Sequence, residues 1–254
     1  MPARTTDKYF RCQLTSRANF ADDLAAFRFR PDEGEIAFTP GQYATIVMEQ
    51  PDGKLLQRPY SLVSSPHEPE LEFFIELVEE GAMTPRIFAL NEGTEVWIRK
   101  RIVGRFVVDQ SEGIDAHVQV ATVTGIAPYL SAIRKQIHDL ETGALTTPQR
   151  FLVLHGASQS WEFGRYLSEL QTLAAQYDWL EYVPTISRPW NDESWTGETG
   201  RVDDLIRGYM RHWNLDPNRI ATYACGHPQM IDNAAGIFKR ARVPKERIHD
   251  EKYF

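Results

Sequence analysis

Cysteine is scarce in this sequence, with only Cys12 and Cys225 among 254 residues. Two thiols cannot form a disulfide framework, nor can they supply the four ligands of a cysteine-bound iron–sulfur cluster. Glycosylation sequons of the form Asn-x-Ser/Thr are absent as well. These absences favour a reducing compartment, and we expect a cytoplasmic protein.

Long apolar runs are also missing from the chain. No stretch approaches the roughly 20 apolar residues that a membrane-spanning helix needs, and residues 1–11 are too polar for a secretory signal. Positive charge does not dominate either, because the net charge is −7. An acidic balance argues against a general nucleic-acid binder. We therefore expect neither a membrane nor a nucleic acid as partner.

The residues that are present change in character near residue 112. Before that point, short β-rich runs separated by turn residues predict a small antiparallel β-barrel with one helix near Thr84–Leu90. The predicted strands are Tyr9–Thr15, Ala25–Arg30, Tyr43–Met48, Leu71–Val78, Glu95–Arg99 and Arg105–Val108.

After Gly113, strands alternate with helices, which is typical of βαβ units and a parallel sheet. We place a boundary in the polar link Gln110–Gly113, with a barrel domain over residues 1–112 and an α/β nucleotide-binding domain over residues 113–254. The strands are predicted at His117–Val123, Phe151–His155, Tyr182–Ile186 and Ile220–Cys225. The helices are predicted at Pro128–Leu140, Phe163–Gln176, Val202–His212 and Gln229–Ala241.

Two segments of the barrel half could bind a flavin nucleotide. Arg58-Pro59-Tyr60-Ser61 offers a cation, a flat ring and a hydroxyl, and strand alternation would put Arg58 and Tyr60 on one face. In Gly81-Ala82-Met83-Thr84-Pro85, a threonine suited to an N-cap precedes a helix, whose free N–H groups could bind a pyrophosphate. An ordinary strand end and an ordinary capped helix remain alternatives for these segments.

Three segments of the second half could bind a nicotinamide nucleotide. Thr122-Val123-Thr124-Gly125 joins a strand to a helix, so that its N–H groups could face a phosphate. Ser187-Arg188 and the later Arg201 could bind a 2′-phosphate, or they could be solvated surface residues. Cys225-Gly226 ends a strand, where small residues let a ring approach the backbone; a catalytic thiol and a buried small residue are the alternatives.

These segments, in this order, resemble the ferredoxin–NADP reductase family, most of all its bacterial members, from about Tyr9 to Phe254. The elements that carry the resemblance are R-x-Y-S, T-G-I-A-P and C-G-x-P-x-M. The resemblance implies FAD and NADP(H) as cofactors, hydride transfer from nicotinamide to flavin, and single-electron delivery to ferredoxin or flavodoxin. It implies no metal. A reductase for free flavin or for an oxygenase, and a non-catalytic flavin- and nucleotide-binding regulatory subunit, remain alternative functions.

The resemblance also implies roles for individual residues. The residues that it implies at the FAD are Arg58, Pro59, Tyr60, Ser61, Gly81, Ala82, Met83, Thr84 and Phe254. The residues that it implies at the NADP are Thr124, Gly125, Pro128, Ser187, Arg188, Arg201, Cys225 and Gly226. The implied catalytic residues are Ser61, Cys225, Glu251 and Tyr253, with Tyr253 as a lid over the flavin.

Two positions depart from the family pattern, and a basic segment indicates the kind of partner. Val123 replaces a glycine that many members carry, and its branched side chain could crowd the nicotinamide. Ser158 stands where members often have an arginine, so one contact to the 2′-phosphate could be missing. Arg99-Lys100-Arg101 and Arg105 form a basic segment in an acidic chain, which predicts docking of an acidic carrier. For any single residue of this segment, a solvated strand edge or a role at the FAD phosphates is the alternative.

Overall fold

The structure is a computed structural model that describes residues 6–34 and 36–252. The chain divides into two compact units, of which the first contains Met1–Val107 and Ala127–His138. The second contains Val108–Ile126 and Asp139–Phe254. The predicted domain boundary near residue 112 stays a prediction. No helix in the described ranges is long and apolar enough to cross a membrane.

The first unit is built on one antiparallel sheet of six strands. They are β1 (Tyr9–Ala21), β2 (Leu24–Pro31), β3 (Tyr43–Glu49), β4 (Leu55–Ser61), β5 (Leu71–Glu76) and β6 (Glu95–Arg99). The order in the sheet is β4-β3-β6-β1-β2-β5. Just past the end of β4, the Val63 amide donates to the Glu72 carbonyl on β5 over 2.9 Å, which joins the two edge strands. The predicted antiparallel fold is confirmed.

Alternating apolar side chains from these strands fill the core of the first unit. Phe27, Phe29 and Phe73 are fully buried there, and Phe29 meets Phe73 edge to face with ring centroids 5.9 Å apart. The short helix α1 (Thr84–Phe88) covers the core with Ile87.

One predicted strand of the first unit is wrong. Residues 105–108 form no strand, and only Val103 bridges to Tyr43. Gly104 has a φ of +143°, a conformation outside the β region, so the ladder stops there.

The second unit is built on a parallel sheet of six strands, as predicted. They are β7 (Ala116–Thr122), β8 (Arg150–Ala157), β9 (Leu180–Ile186), β10 (Glu198–Thr199), β11 (Ile220–Gly226) and β12 (Ile248–Lys252). Its helices are α3 (Tyr166–Gln176), α4 (Val202–His212) and α5 (Pro228–Arg240). The helix α2 (Ala127–Glu141) follows β7 in the chain, and its residues Ala127–His138 belong to the first unit. The prediction missed β10 and β12.

The strand order β10-β9-β8-β7-β11-β12 fixes where a ligand can bind to this sheet. From β7 the chain proceeds outward through β8, β9 and β10, and it then returns to place β11 on the other side of β7. Such a reversal creates a crevice beyond the carboxyl ends of the two central strands, where ligands of open α/β sheets bind. The turn after β7 and the turn after β11 therefore define the candidate site.

Candidate functional site

The turns that follow β7 and β11 are locked together by two glycines. A Cβ added to Gly125 would lie 2.2 Å from the Cys225 carbonyl oxygen, and one added to Gly226 would lie 2.2 Å from the Thr122 hydroxyl. Gly226 also has a φ of +124°, which disfavours any side chain. The structure thus brings together Gly125, Cys225 and Gly226, which the sequence placed 100 residues apart.

Thr122 completes this junction and was not among the predicted site residues. Its hydroxyl accepts a hydrogen bond from the His227 amide over 2.7 Å, and so ties the end of β7 to the start of α5. The signal was a threonine at the end of a buried strand, directly before the glycine turn. Its partner lies 105 positions later, which no local pattern reveals.

The carboxyl end of β12 brings a second predicted residue to the junction. In the parallel register of β11 and β12, Cys225 is paired with Glu251 and Gly226 with Lys252. Cys225 is fully buried and Glu251 is half-buried. Lys252, the last described residue, therefore lies at the carboxyl edge of the sheet beside Gly226. Tyr253 and Phe254, predicted to contact the flavin, lie outside the described residues.

Val123 occupies the turn in a conformation that suits glycine. Its φ is +44°, in the left-handed region where a β-branched residue is strained. The side chain packs against the small apolar cluster of Ala157, Phe163 and Ile186. Its packing there argues against the expectation that this side chain crowds the nicotinamide.

The turn continues as a short 3₁₀ segment, Val123–Ile126, directly into α2. Thr124 is half-buried, while Gly125 and Pro128 are buried. Pro128 is the second residue of α2, where the missing N–H removes no helical hydrogen bond.

The two arginines expected at the 2′-phosphate are presented at the same carboxyl edge. The Arg188 amide donates to the Ser158 carbonyl over 3.0 Å, and the Ser187 amide donates to the Ala157 carbonyl over 2.9 Å. The Thr185 hydroxyl donates to the Gly200 carbonyl over 3.0 Å, so the segment preceding Arg201 lies beside β9.

The two arginines differ in whether a carboxylate of the protein pairs with them. Arg201 forms an ion pair with Asp203 at 3.4 Å, and 54% of its side chain is exposed. Arg188 is exposed and has no ion pair within residues 6–34 and 36–252. Arg188 is therefore the cation most available to an anionic ligand, while Arg201 would have to share its charge with Asp203.

Two exposed tryptophans, in the turns that follow β8 and β9, were not predicted as site residues. Trp190 follows Arg188 in the 3₁₀ turn Pro189–Asn191 and is 71% exposed. Trp161 is 46% exposed, and its turn is tied to the Trp190 turn because the Ser160 amide donates to the Asp192 carboxylate over 3.0 Å. Both tryptophans lie in irregular loops, where hydrophobic periodicity gives no signal.

The residues expected at the flavin lie on β4 in the first unit. Arg58 is opposite Ile46 and Tyr60 is opposite Ala44 in the register with β3, which puts both on one face. Arg58 is exposed, and no ion pair of the described residues involves it. Pro59 is exposed and Ser61 is buried.

Tyr60 is held in place by the core of the first unit. It is half-buried and meets the edge of Phe73 with ring centroids 6.4 Å apart. Burial raises the pKa of its hydroxyl to about 12, so the ring stays neutral at physiological pH. The arrangement leaves a neutral aromatic ring two residues from an unpaired cation.

The segment Gly81–Thr84 differs in one respect from the prediction. Thr84 is not the N-cap of α1, because Met83 holds that position and no side chain caps the helix. The Thr84 hydroxyl instead accepts from the Val78 amide over 2.9 Å and donates to the Val78 carbonyl over 3.0 Å. Its hydroxyl is thus used by the fold. Gly81 is half-buried, Ala82 is exposed and Met83 is buried.

The basic segment Arg99-Lys100-Arg101 runs at the level of Arg58–Ser61, two strands away. Ile46 on β3 is opposite both Arg58 and Ile98, and Tyr43 is opposite both Ser61 and Val103. Two strand spacings correspond to roughly 10 Å. Lys100 pairs with Glu33 at 3.8 Å, whereas Arg99, Arg101 and Arg105 are exposed and have no ion pair in the described chain.

Metal ligands do not cluster in the part of the chain that the structure describes. No group of three or more His, Cys, Asp or Glu side chains within residues 6–34 and 36–252 could bind a metal ion. The polar groups at the crevice are amides, hydroxyls and arginines, which bind phosphates and carboxylates.

Comparison with known proteins adds two family matches. Residues 11–106 match the oxidoreductase FAD-binding domain, and residues 120–236 match the oxidoreductase NAD-binding domain. The flavodoxin/ferredoxin–NADP reductase of Escherichia coli K12 is 31% identical over 224 residues, covering 86% of this chain and 85% of that protein. The electron transfer component XylA of Pseudomonas putida xylene/toluene monooxygenase is 27% identical, covering 95% of this chain and 64% of that protein.

A similar fold is found among solved structures. A ferredoxin NADP⁺ reductase from Neisseria gonorrhoeae with bound FAD and NADP superposes with a TM-score of 0.81. It is 20% identical, and the match covers 97% of this chain and 99% of that one. The likeness extends through both units.

Proposed function

Because the chain belongs to the flavodoxin/ferredoxin–NADP reductase family, we propose that it passes electrons from NADPH to a small one-electron carrier, ferredoxin or flavodoxin. It is an oxidoreductase with an FAD-binding and an NAD-binding domain. The observation that carries the proposal is the interlocked Gly125 and Gly226 junction at the reversal of the parallel sheet, with the exposed Arg188 at the same edge.

The first unit has the chemistry that FAD requires. Arg58 supplies an exposed cation for phosphate, Tyr60 supplies a neutral ring to lie against the isoalloxazine, and Ser61 supplies a hydroxyl next to it. Pro59 keeps the strand extended between them. The backbone of Gly81, Ala82, Met83 and Thr84 would bind the pyrophosphate, since the Thr84 hydroxyl is already used by Val78. When bound, FAD converts the two-electron chemistry of a nicotinamide into single-electron steps.

The second unit would bind the nicotinamide nucleotide across the junction. Thr124 and Gly125 would contact the pyrophosphate through their amides, and Pro128 fixes the start of the helix behind them. Cys225 and Gly226 leave room for the nicotinamide ring, because neither projects a large side chain at the end of β11. Glu251, paired with Cys225 in the register of the sheet, is a candidate for moving a proton near that ring.

The preference for NADPH over NADH would come from contacts of the 2′-phosphate with Ser187, Arg188 and Arg201. A guanidinium forms charge-assisted hydrogen bonds with a phosphate, and only NADPH carries the 2′-phosphate. Ser158 lies directly beside Arg188 and offers a hydroxyl, not a further cation. We therefore propose a preference for NADPH that rests mainly on Arg188.

The carrier would dock against the basic segment in the first unit. Arg99 and Arg101 lie roughly 10 Å from the Arg58 strand segment, and their charges are unpaired in the described chain. A carrier with acidic side chains would be steered to this basic segment. Both cysteines are free thiols, and together with this carrier chemistry they support a cytoplasmic location.

A second candidate function is that of an oxygenase reductase component. It is favoured by the similarity to XylA of Pseudomonas putida, an electron transfer component of a monooxygenase. The two functions differ in the protein that accepts electrons. The test is to titrate the FAD-loaded protein with ferredoxins and flavodoxins of its host and measure NADPH-dependent reduction of each. Rapid reduction of one such carrier supports the proposal, and transfer only to an oxygenase supports the alternative.

A further inference from the structure

A buried hydrogen-bonded relay ends at the strained valine of the nucleotide turn. Nε2 of His155 lies 2.9 Å from the Val123 carbonyl oxygen, and Nδ1 of the same ring lies 3.1 Å from the Tyr182 hydroxyl. The His155 side chain is fully buried. These three residues come from the turn after β7, from β8 and from β9, all within the second unit.

The chemistry of the three groups fixes the direction of the relay. A carbonyl oxygen can only accept, so Nε2 must carry the proton, and in a neutral ring Nδ1 then accepts from Tyr182. Burial lowers the pKa of His155 to about 4, which keeps the ring neutral at physiological pH. Burial also raises the pKa of Tyr182, so its hydroxyl keeps the proton that it donates.

The relay determines where the next amide points. The Val123–Thr124 peptide bond is trans, since no described peptide bond is cis. In a trans peptide the C=O and the following N–H point in opposite directions. Holding the Val123 carbonyl on His155 therefore turns the Thr124 N–H away from the buried ring. A carbonyl in that place would repel a pyrophosphate, while an N–H would bind it.

The hydrogen bond to His155 matters in this chain because residue 123 is a valine and not a glycine. Glycine adopts a positive φ at no cost, whereas valine is strained at +44° and would return to a negative φ without support. Support comes from the hydrogen bond to His155 and from the packing of Val123 against Ala157, Phe163 and Ile186. The His155 ring is itself wedged edge-on against Phe163, with centroids 4.7 Å apart.

We propose that Tyr182, His155 and Val123 form a positioning relay that orients the Thr124 amide toward the pyrophosphate of NADP, with His155 as its positioning residue. The inference rests on the proposed function, because it presumes that this turn binds NADP. It adds three residues that do not themselves contact the nucleotide.

Substitutions of His155 test the relay through binding rather than turnover. In His155→Gln the side-chain amide can still donate to Val123, whereas in His155→Asn it is too short to do so. We expect His155→Asn to weaken NADP⁺ binding roughly ten-fold, as the loss of one buried hydrogen bond would, and His155→Gln to stay within about two-fold of wild type. Tyr182→Phe should weaken binding about three-fold, and Tyr177→Phe, a tyrosine in another region of the same unit, is the matched control.

The measurement is calorimetric titration of the oxidised, FAD-loaded protein with NADP⁺ and with adenosine 2′-phosphate, which lacks the pyrophosphate. The relay predicts weaker NADP⁺ binding with unchanged adenosine 2′-phosphate binding in His155→Asn. Equal loss for both ligands, or no loss for NADP⁺, overturns the relay. If His155→Asn does not fold, Tyr182→Phe decides, and NADP⁺ affinity equal to that of Tyr177→Phe overturns it. A wild-type protein that binds neither ligand contradicts the proposed function itself.

Discussion

Two buried histidines, His117 and His155, influence how the stability of the second unit depends on pH. His117 and His155 are fully buried, and burial lowers the pKa of each to about 4. The Nε2 atom of His117 has no hydrogen-bond partner among the described residues, which adds to the cost of its burial. Both rings are neutral when the protein is folded at pH 7.

The free energy of unfolding should therefore fall between about pH 6.5 and pH 4. In that range the unfolded chain binds protons that the folded chain cannot, so stability is complete above 6.5 and declines until both states are protonated. Each histidine accounts for at most roughly 3 kcal/mol. Urea unfolding at several pH values should show the decline, and His117→Leu should make it shallower. The exposed His212→Gln serves as the comparison variant, and an equal effect of the two variants would refute this assignment.

Nucleotide preference is also decided at the scale of one residue. Arg188→Ala removes the unpaired cation expected at the 2′-phosphate, so the KM for NADPH should rise roughly ten-fold or more while the KM for NADH changes little. Steady-state kinetics with a dye acceptor and both nucleotides measure this. Arg207→Ala, also an exposed arginine without an ion pair in the described chain, serves as control. Equal increases for NADPH and NADH would show that Arg188 does not contact the 2′-phosphate.

At the scale of elements, sequence patterns predicted what local chemistry determines. The central strands β7, β8 and β11 are rich in apolar and β-branched residues, so they could be recognised, as could the glycine turns after β7 and β11. By contrast, β10 has two residues and β12 reads Ile-His-Asp-Glu-Lys. These edge strands form because a neighbouring strand offers hydrogen bonds, and this cannot be recognised from their own composition.

The same limit applies to the residues of the site. Arg58, Tyr60, Gly125 and Gly226 stand in recognisable motifs. Thr122 and His155 do not, because their partners lie 105 and 27 to 32 positions away in the sequence. The wrong assignment of Thr84 as an N-cap has a similar cause, since its hydroxyl is used by Val78, which precedes the glycine turn.

The position of β12 at the edge of the parallel sheet leads to a prediction about the end of the chain. The last residue of β12, Lys252, is paired with Gly226 at the carboxyl edge of the sheet, and Tyr253 and Phe254 follow it in the sequence. Removing Tyr253 and Phe254 should therefore alter the visible spectrum of bound FAD and change the affinity for NADP⁺. Absorbance spectra and nucleotide titrations of a protein ending at Lys252 test this. Spectra and affinities equal to those of the full chain would make the terminus a passive tail.

For the molecule as a whole, the distribution of charge matters more than its sum. The chain carries a net charge of −7, yet Arg99, Arg101 and Arg105 are exposed without ion pairs in the described part of the first unit. Complementary charges mainly accelerate association, and salt weakens this effect as the Debye length falls from about 30 Å at 0.01 M to about 10 Å at 0.1 M.

Carrier reduction at limiting carrier should therefore slow as salt rises, while reduction of a small neutral dye should not. Reversing Arg99 and Arg101 to Glu should slow carrier reduction at low salt by roughly ten-fold. The control reverses Lys239 and Lys245 to Glu, which changes the net charge equally on exposed residues of the second unit. Equal slowing in both double variants would mean that total charge, and not this segment, governs docking.

The central claim, that this chain links NADPH to a one-electron carrier through FAD, is tested most directly by one anaerobic experiment. The purified protein is loaded with FAD and mixed with NADPH and the host's ferredoxin or flavodoxin, and the absorbance of the carrier is followed. The account predicts one tightly bound FAD per chain, reduction of the carrier that requires both FAD and NADPH, and a slower reaction with NADH. A protein that takes up no FAD, or that oxidises NADPH while every carrier stays oxidised, would contradict it.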